Sequence, residues 1–383
     1  NPNKIAAIAG NQIDTESMFA LKTLMSRLGS PNIDCRQDGA KIGGKRAGYL
    51  FNSTIAGIDN SDALLIVGSN PRIEAPVLNA RIRRNWLASK MPIGVIGPKI
   101  DLTYDANFLG EDPSILDAIV NGNHKFVTKL KKAKRPMIII GMGALIRADG
   151  AAMLRKARQI AESYGVVSND WNGFNVLHNA AARVGGLDVG FVSGRGGMDV
   201  AAMAKASKAE KLEVLWLLGA DEIDFKKFSS TYIVYQGHHG DNGAHHADLV
   251  LPGAAYTEKD GIYVNTEGRV QYASRAAFPP GDAREDWAII RAISGAVGKS
   301  IGFDSLAELR DALCVTHPHF AYADQITRTN WTTFGRRTKL SATPVDYAFD
   351  NFYMTCAISR ASETMAECIR AIGTKRDAAV AAE

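Results

Sequence analysis

Residues 62–70 read DALLIVGSN, and residues 213–221 read EVLWLLGAD. Each stretch is a short apolar run followed by glycine, a small residue and a polar residue. A continuous apolar run of this length that ends in such a turn is typical of a strand buried on both faces of a parallel sheet. Because the two stretches resemble each other and lie about 150 residues apart, they indicate an internal duplication and predict two related Rossmann-type lobes.

The same alternation of apolar runs and helical patterns continues on both sides of these stretches. Apolar runs predict strands at 63–67, 92–96, 137–140, 212–218, 233–235 and 249–251, and helical periodicity predicts helices at 74–87 and 150–164. Alternating strands and helices predict an α/β fold with parallel sheets. Ligands in such folds bind at the carboxyl ends of the strands. Gly68, Asn70, Gly219 and Asp221 lie in the two turns at that place. A plain strand-to-helix turn is the favoured interpretation, a ligand-binding loop is the alternative, and no bound cofactor is expected in this chain.

The domain organisation that we expect has three parts. A first α/β lobe covers residues 1–130, a second covers 131–275, and a C-terminal helical region with a tail covers 276–383. Pro279-Pro280-Gly281 breaks the chain near the start of the third part. Helices are predicted at 284–297, 305–313 and 359–372, whereas 330–348 has no clear period. The last of these helices is amphipathic and should dock on the fold or on a partner subunit.

The composition is that of an ordinary globular chain. Of the 383 residues, 46% are hydrophobic and 22% are charged, which suits two or three domains. The net charge of +5 is spread among acids without a basic face, so we expect no nucleic-acid binding. No run of 18 apolar residues occurs, so no direct membrane insertion is expected. Since the first residue is Asn1 rather than Met, we expect the chain to begin inside a longer protein.

The cysteines and histidines are the candidate metal ligands. The cysteines are dispersed without a Cys-x-x-Cys pair, so we expect no zinc or iron–sulfur site in this chain: Cys35, Cys314, Cys356 and Cys368. Half of the eight histidines fall in one glycine-rich segment of nine residues, 238–246: His238, His239, His245 and His246. Their spacing does not suit a helical ligand pair. A hydrogen-bonded loop at a domain junction is the favoured interpretation, and a metal site is the alternative.

Recognisable catalytic motifs are absent from the sequence. Gly141-Met142-Gly143 begins a dinucleotide fingerprint, but position 146 is Ile rather than Gly, which disfavours NAD binding. Neither a Gly-x-Ser-x-Gly nucleophile elbow nor a phosphate-binding P-loop occurs. We therefore expect no catalytic residue in this chain.

One long segment carries a family resemblance. Residues 240–271 read GDNGAHHADLVLPGAAYTEKDGIYVNTEGRVQ. This segment resembles the region of molybdopterin oxidoreductases in which Ala-Asp, Leu-Pro, Glu-Lys-x-Gly and Asn-x-Glu-Gly-Arg follow in order. Residues 65–71 look like the first pterin-side loop of that family, and residues 110–116 stand where it has Gly-Thr-Asp and a helix. The resemblance implies the fold of that family.

The C-terminal segment 350–368 resembles one particular member of this superfamily. Residues 350–355 (DNFYMT) and 358–368 (ISRASETMAEC) are similar to the end of the large iron–sulfur subunit of respiratory complex I, and residues 238–241 also fit that subunit. The resemblance implies that the whole subunit carries [2Fe-2S] and [4Fe-4S] clusters on cysteines before Asn1. Those clusters pass electrons from the flavin-bearing subunit toward quinone. It further implies contacts with other peripheral-arm subunits, at the matrix face of the mitochondrial inner membrane or the cytoplasmic face of an alphaproteobacterial one.

The sequence departs from active molybdenum enzymes at one place. In those relatives a Cys, selenocysteine, Ser or Asp ligates the metal a few residues after an Asn-x-Asp segment. Here Asn32-Ile33-Asp34 is followed by CRQDGA, so the expected ligand position falls near Ala40, which offers no donor atom. The resemblance thus implies a redox-inactive, structural segment with a vestigial pterin pocket. The alternative is an active enzyme of formate-dehydrogenase type in which Cys35 or Asp38 is an unusual ligand.

Overall fold

The computed structural model describes residues 1–380, with side chains described as far as residue 372. The strands in this part are β1 (Ile5–Ala9), β2 (Ile33–Asp34), β3 (Ala63–Val67), β4 (Ile93–Ile96), β5 (Asn107–Gly110), β6 (Pro136–Ile140), β7 (Phe174–Val176), β8 (Val214–Leu218), β9 (Tyr232–Gly237), β10 (Leu249–Pro252), β11 (Gly261–Val264) and β12 (Val270–Ala273). The helices are α1 (Thr15–Leu28), α2 (Pro71–Glu74), α3 (Pro76–Ser89), α4 (Ser114–Val120), α5 (Val127–Lys132), α6 (Met142–Leu145), α7 (Gly150–Ser163), α8 (Arg183–Asp188), α9 (Val200–Lys208), α10 (Asn242–His246), α11 (Asp286–Ala296), α12 (Leu306–Thr316), α13 (Ala357–Arg360) and α14 (Glu363–Val380).

Two five-stranded sheets form the core. The first sheet has the order β10-β9-β8-β1-β2 and the second has the order β5-β4-β3-β6-β7. Every pairing within the two sheets is parallel, whereas β11 and β12 form a separate antiparallel hairpin. All residues of β3 and β6 are buried, as their uninterrupted apolar sequences predict. The predicted α/β fold with two parallel-sheet lobes is confirmed.

The lobe boundary expected at residue 130 does not follow the sheets. It separates β1 from β8, although these strands pair from Ile5 with Val214 to Ala9 with Leu218. It also cuts the second sheet, because β3 and β6 lie on opposite sides of it and are direct neighbours. In the sequence, the strands of the second sheet form one continuous segment (63–176). This segment is inserted between β2 and β8 of the first sheet. Apolar periodicity locates strands but carries no information about their partners, so the sequence could not show that a boundary at this residue divides both sheets.

The C-terminal region is helical in parts. No strand follows β12 within the described residues, and 322–356 has neither helix nor regular strand, as the lack of a period at 330–348 predicted. The helix expected at 359–372 is two helices, α13 and α14, with Ala361 and Ser362 between them. Residues 381–383, the end of the expected tail, lie outside the described residues.

Each sheet has a switch point, where the strand order reverses. It lies between β1 and β8 in the first sheet and between β3 and β6 in the second. At these points Gly68 follows β3 with φ of +59° and Gly219 follows β8 with φ of +58°, a left-handed conformation that favours glycine. The Gly68 N–H donates to Ile96 O (3.0 Å), and the Gly219 N–H donates to Gln236 O (2.7 Å). The two halves of the duplication therefore have the same backbone conformation at this turn.

A buried ion cluster attaches the hairpin and the helical region to the first sheet. Lys259, just before β11, lies between the carboxylates of Asp14, 2.7 Å away at the start of α1, and Asp286, at the start of α11. Asp286 Oδ1 also accepts a hydrogen bond from Gln236 Nε2 of β9 (2.9 Å). Removing one partner of such a buried group leaves an uncompensated charge, at a cost of about 3–5 kcal/mol. The cluster thereby fixes the positions of three elements.

Candidate site at the carboxyl ends of the sheets

The predicted turn of the second sheet is buried and only partly hydrogen-bonded. Asn70 is almost fully buried, and its Oδ1 has no hydrogen-bond partner among the described residues. Ser69 Oγ donates to the carboxylate of Glu74 at the end of α2. Burial raises the pKa of Glu74 above its ordinary value. This edge of the sheet is therefore a polar site that is closed to bulk water.

The predicted turn of the first sheet is occupied by an arginine from the C-terminal region. Arg360 Nη2 donates to Asp221 Oδ2 (2.9 Å) and to Glu222 Oε1 (3.2 Å), and Arg360 Nε donates to Asp241 Oδ2 (2.5 Å). Asp221 also accepts the N–H of Gly243. Burial raises the pKa of both Asp221 and Glu222. One guanidinium thus joins three carboxylates that follow β8 and β9.

Burial and hydrogen bonding have opposite effects on the pKa of the Arg360 guanidinium. Burial acts to lower the pKa of Arg360, but the hydrogen bond to Asp241 and the surrounding carboxylates outweigh it and raise that pKa. Arg360 therefore keeps its charge in this setting. The arrangement is an ion cluster rather than a neutral hydrogen-bond network.

Residues 341–360, which we call the C-terminal strap, also cross the end of the second sheet. There the strap is irregular chain, held by hydrogen bonds to groups that follow the strands. These bonds join Ser341 N–H to Asp149 Oδ2 (2.7 Å), Arg147 Nη1 to Pro344 O (2.7 Å), Val345 N–H to Glu111 O (2.7 Å) and Ala348 N–H to Glu74 Oε1 (3.0 Å). The strap thus contacts the edges of both sheets at which the two glycine turns lie.

The glycines of the incomplete dinucleotide motif have packing roles. A Cβ on Gly141 would lie 2.5 Å from Gly68 O, so the two central strand ends could not approach as they do. A Cβ on Gly143 would lie 2.0 Å from Asp346 O in the strap. Both distances are shorter than any real contact. The motif is therefore explained without a bound dinucleotide.

The segment that would supply a molybdenum ligand does not fit that role. Ala40 is buried and has no donor atom. Burial and the neighbouring Asp34 raise the pKa of the Cys35 thiol to about 12, so it stays protonated, whereas a metal needs the thiolate. Asp38 is engaged by the buried Arg183, with Nη2 2.9 Å from Oδ1. None of the three candidate positions offers a free anionic donor.

The histidine loop is held together by its own contacts. The Nδ1 atoms of His238 and His239 are 2.6 Å apart, and His246 Nδ1 lies 2.8 Å from Asn242 O. The ring of His246 stacks on Phe225 with centroids 4.6 Å apart. Burial lowers the pKa of His238 to about 4. Across the described ranges, no group of three His, Cys, Asp or Glu side chains is arranged to hold a metal ion.

Sequence reasoning did not find the role of Arg360. It lies in the tail segment 358–368 that carried the family resemblance, but nothing in its local pattern marks the acids it contacts. The sequence pattern marks Glu74 only as the first residue of a predicted helix. The only signal was Gly143, whose missing side chain makes room for the strap.

Comparison with protein families gives two matches along the chain. Residues 1–296 match the family model of molybdopterin oxidoreductase. Residues 325–368 match the model of the C-terminal part of the G subunit of NADH-ubiquinone oxidoreductase. The second match contains the whole strap.

Individual relatives agree with these matches. The G subunit of NADH-quinone oxidoreductase from Rickettsia felis is 44% identical and that from Rickettsia conorii is 45% identical, each over 371 residues and 97% of this chain. The chain spans about half the length of these curated relatives, 54% in each case. A chain of the formyltransferase/hydrolase complex from Methylorubrum extorquens, solved with methylofuran, shares the fold with a TM-score of 0.57 and 18% identity, covering 76% of this chain and 92% of that one. The chain belongs to the molybdopterin oxidoreductase family, and its resemblance to the iron–sulfur subunit of complex I is confirmed by its similarity to these NADH-quinone oxidoreductase G subunits.

Proposed function

We propose that this chain is the structural, redox-inactive C-terminal part of the large iron–sulfur (G) subunit of a respiratory complex I. Similarity to that subunit along 97% of the chain supports the assignment to the complex. The redox-inactive role rests on one observation: the position near Ala40 has no donor, while Cys35 is held protonated and Asp38 is paired with Arg183. The candidate turns at Gly68–Asn70 and Gly219–Asp221 are then remnants of a pterin pocket.

The whole protein would act as one subunit of the proton-translocating NADH:ubiquinone reductase. In that enzyme electrons pass from NADH through FMN and iron–sulfur clusters to ubiquinone. The [2Fe-2S] and [4Fe-4S] clusters would be held by parts of the subunit outside this sequence. This segment would pack against other peripheral-arm subunits, including the flavin-bearing and quinone-proximal ones.

The expected location is peripheral. It would be the matrix side of the mitochondrial inner membrane or the cytoplasmic side of an alphaproteobacterial one. Among the residues that the structure describes, no helix is both long and apolar enough to cross a membrane.

The formate-dehydrogenase alternative conflicts with the geometry. A ligand role for Cys35 requires a thiolate where burial favours the thiol. A ligand role for Asp38 would withdraw its carboxylate from Arg183, whose side chain is only 2% exposed, and would leave a buried guanidinium unpaired. A ligand role for either residue would therefore require an unfavourable free energy, for ionising a buried thiol or for leaving a buried guanidinium unpaired.

The test uses the assembled complex with Cys35→Ala or Asp38→Asn in this subunit. The Asn side chain can still accept a hydrogen bond from Arg183. We expect NADH:quinone activity equal to wild type and no stoichiometric Mo or W in any sample by elemental analysis. Arg328→Ala, at an exposed position that belongs neither to the two turns nor to the strap, is the control. Stoichiometric Mo or W in the wild-type complex that disappears in a variant would refute the proposal.

A further inference from the structure

The C-terminal strap lies where the family resemblance places ligand-binding turns. We infer that residues 341–360 permanently occupy the carboxyl edges of both sheets, so that the chain's own backbone and Arg360 take the place of a pterin ligand. The inference rests on the proposed structural role and adds what fills the former pocket. Contacts at the two sheets support it independently.

At the second sheet the strap crosses the ends of four adjacent strands. It bonds to Glu111 after β5 and to Glu74 after β3. Its Val345 O lies 4.0 Å from the Cβ position of Gly97 after β4, and its backbone packs on Gly143 after β6. Val345 itself is buried. The strap therefore covers both sides of the switch point, the position where open parallel sheets bind ligands.

The close approach at Gly143 leaves no layer for another molecule. Asp346 O would lie 2.0 Å and Tyr347 Cα 2.7 Å from a Cβ at that position. A planar ligand between α6 and the strap would need several ångströms of separation. Such a ligand could enter only if the strap moved away.

At the first sheet the argument is one of charge. Asp221, Glu222 and Asp241 place three carboxyl groups around one point. These groups repel one another and would repel a phosphate-bearing ligand. Arg360 supplies the required positive charge from within the chain, with two of its nitrogens in hydrogen-bond contact. This edge is therefore complementary to the strap and not to an anionic cofactor.

The test is hydrogen–deuterium exchange on the full chain carrying Arg360→Ala. Breaking a charge-assisted hydrogen-bond set of this kind should speed exchange by on the order of tenfold at 219–222, 240–243 and 356–360, the part of the strap next to Arg360. Arg360→Lys keeps the charge but not the paired nitrogens, and should give a smaller increase; it carries the test if the Ala variant does not fold. Arg328→Ala should match wild type. Wild-type exchange rates in both Arg360 variants would refute the inference.

A ligand titration is the second test of the inference. Neopterin monophosphate, followed by its fluorescence, should not bind the wild-type chain. Binding that also speeds exchange at 341–360 would show a pocket still open to pterins and would overturn the inference. The structural role in complex I is tested separately by Mo and W content and by NADH:quinone activity. The two proposals can therefore fail independently.

Discussion

Glu16, in the first turn of α1, is a buried carboxyl that titrates near neutral pH. Its Oε2 accepts the Ile262 N–H (2.7 Å) and its Oε1 accepts Arg310 Nε (2.9 Å). Burial and the neighbouring Asp14 nevertheless raise its pKa from 4.5 to about 7. Because the folded state binds this proton more tightly than the unfolded state, the stabilising contribution is complete below pH 4.5 and is lost as the pH rises through about 7.

We therefore predict that Glu16→Gln removes a pH-dependent destabilisation. The free energy of unfolding of wild type relative to the variant should fall between pH 5.5 and pH 8, because the variant cannot ionise. Urea unfolding at several pH values measures this difference, in which titrating groups that do not interact with Glu16 cancel. Glu210→Gln, an exposed position, is the control. A wild-type-to-variant difference that stays constant with pH would contradict the assigned titration.

Single residues also show how far the sequence could predict the site. Gly68 and Gly219 were identified because a strand that ends in glycine has a local signature, and both have the left-handed backbone that this signature requires. Arg360 was not identified, because its partners Asp221 and Asp241 lie far away in sequence. Side-chain pairing across the fold leaves no periodic trace. The positions of the turns were therefore predictable, whereas their occupant was not.

At the level of elements, Gly143 in α6 provides a direct test of strap packing. We predict that Gly143→Ala lowers the free energy of unfolding by about 1–3 kcal/mol, as overpacking does, because the new methyl group meets Asp346 O. It should also increase proteolysis within 341–348. Urea unfolding and limited proteolysis measure the two effects.

Gly295→Ala is the matched control for this substitution. Gly295 lies in α11 with no atom within 4 Å of its Cβ position. Alanine there should stabilise the chain by about 0.5–1 kcal/mol, since glycine is unfavourable in helices. Equal effects of the two substitutions would show that the strap is not packed on Gly143.

The elements themselves were predictable to different degrees. β3 was predicted to the residue, because Asp62 before the five consecutive apolar residues and Gly68 after them mark both ends of the strand. The two-residue β2 was missed, since pairing with β1 and not its own sequence defines it. The break between α13 and α14 was also missed, because it falls inside a continuous helical pattern. The buried strand β1 and the 14-residue helix α1 were missed as well, so length and burial alone did not make an element predictable.

For the whole molecule, the interleaved sheets predict which segments unfold together. β1 is hydrogen-bonded between β2 and β8, and β3 is bonded between β4 and β6. Opening β1 removes backbone partners from β8, although more than 200 residues separate Ile5 from Val214. The Lys259 cluster adds a further link, because it ties α1, next to β1, to the hairpin and α11. Cooperative units in proteins follow such contacts rather than the order of the sequence.

We therefore predict that native-state hydrogen exchange in rising urea groups β1 with β8 and β3 with β6. The amides of 5–9 and 214–218 should share one free energy of opening, and those of 63–67 and 137–140 should share another. A division at residue 130 would instead group β1 with β3 and β6 with β8, and that outcome would contradict the sheet topology. Lys259→Met should lower the first shared value more than the second, because its two carboxylate partners, Asp14 and Asp286, would both lose their cation next to the first sheet.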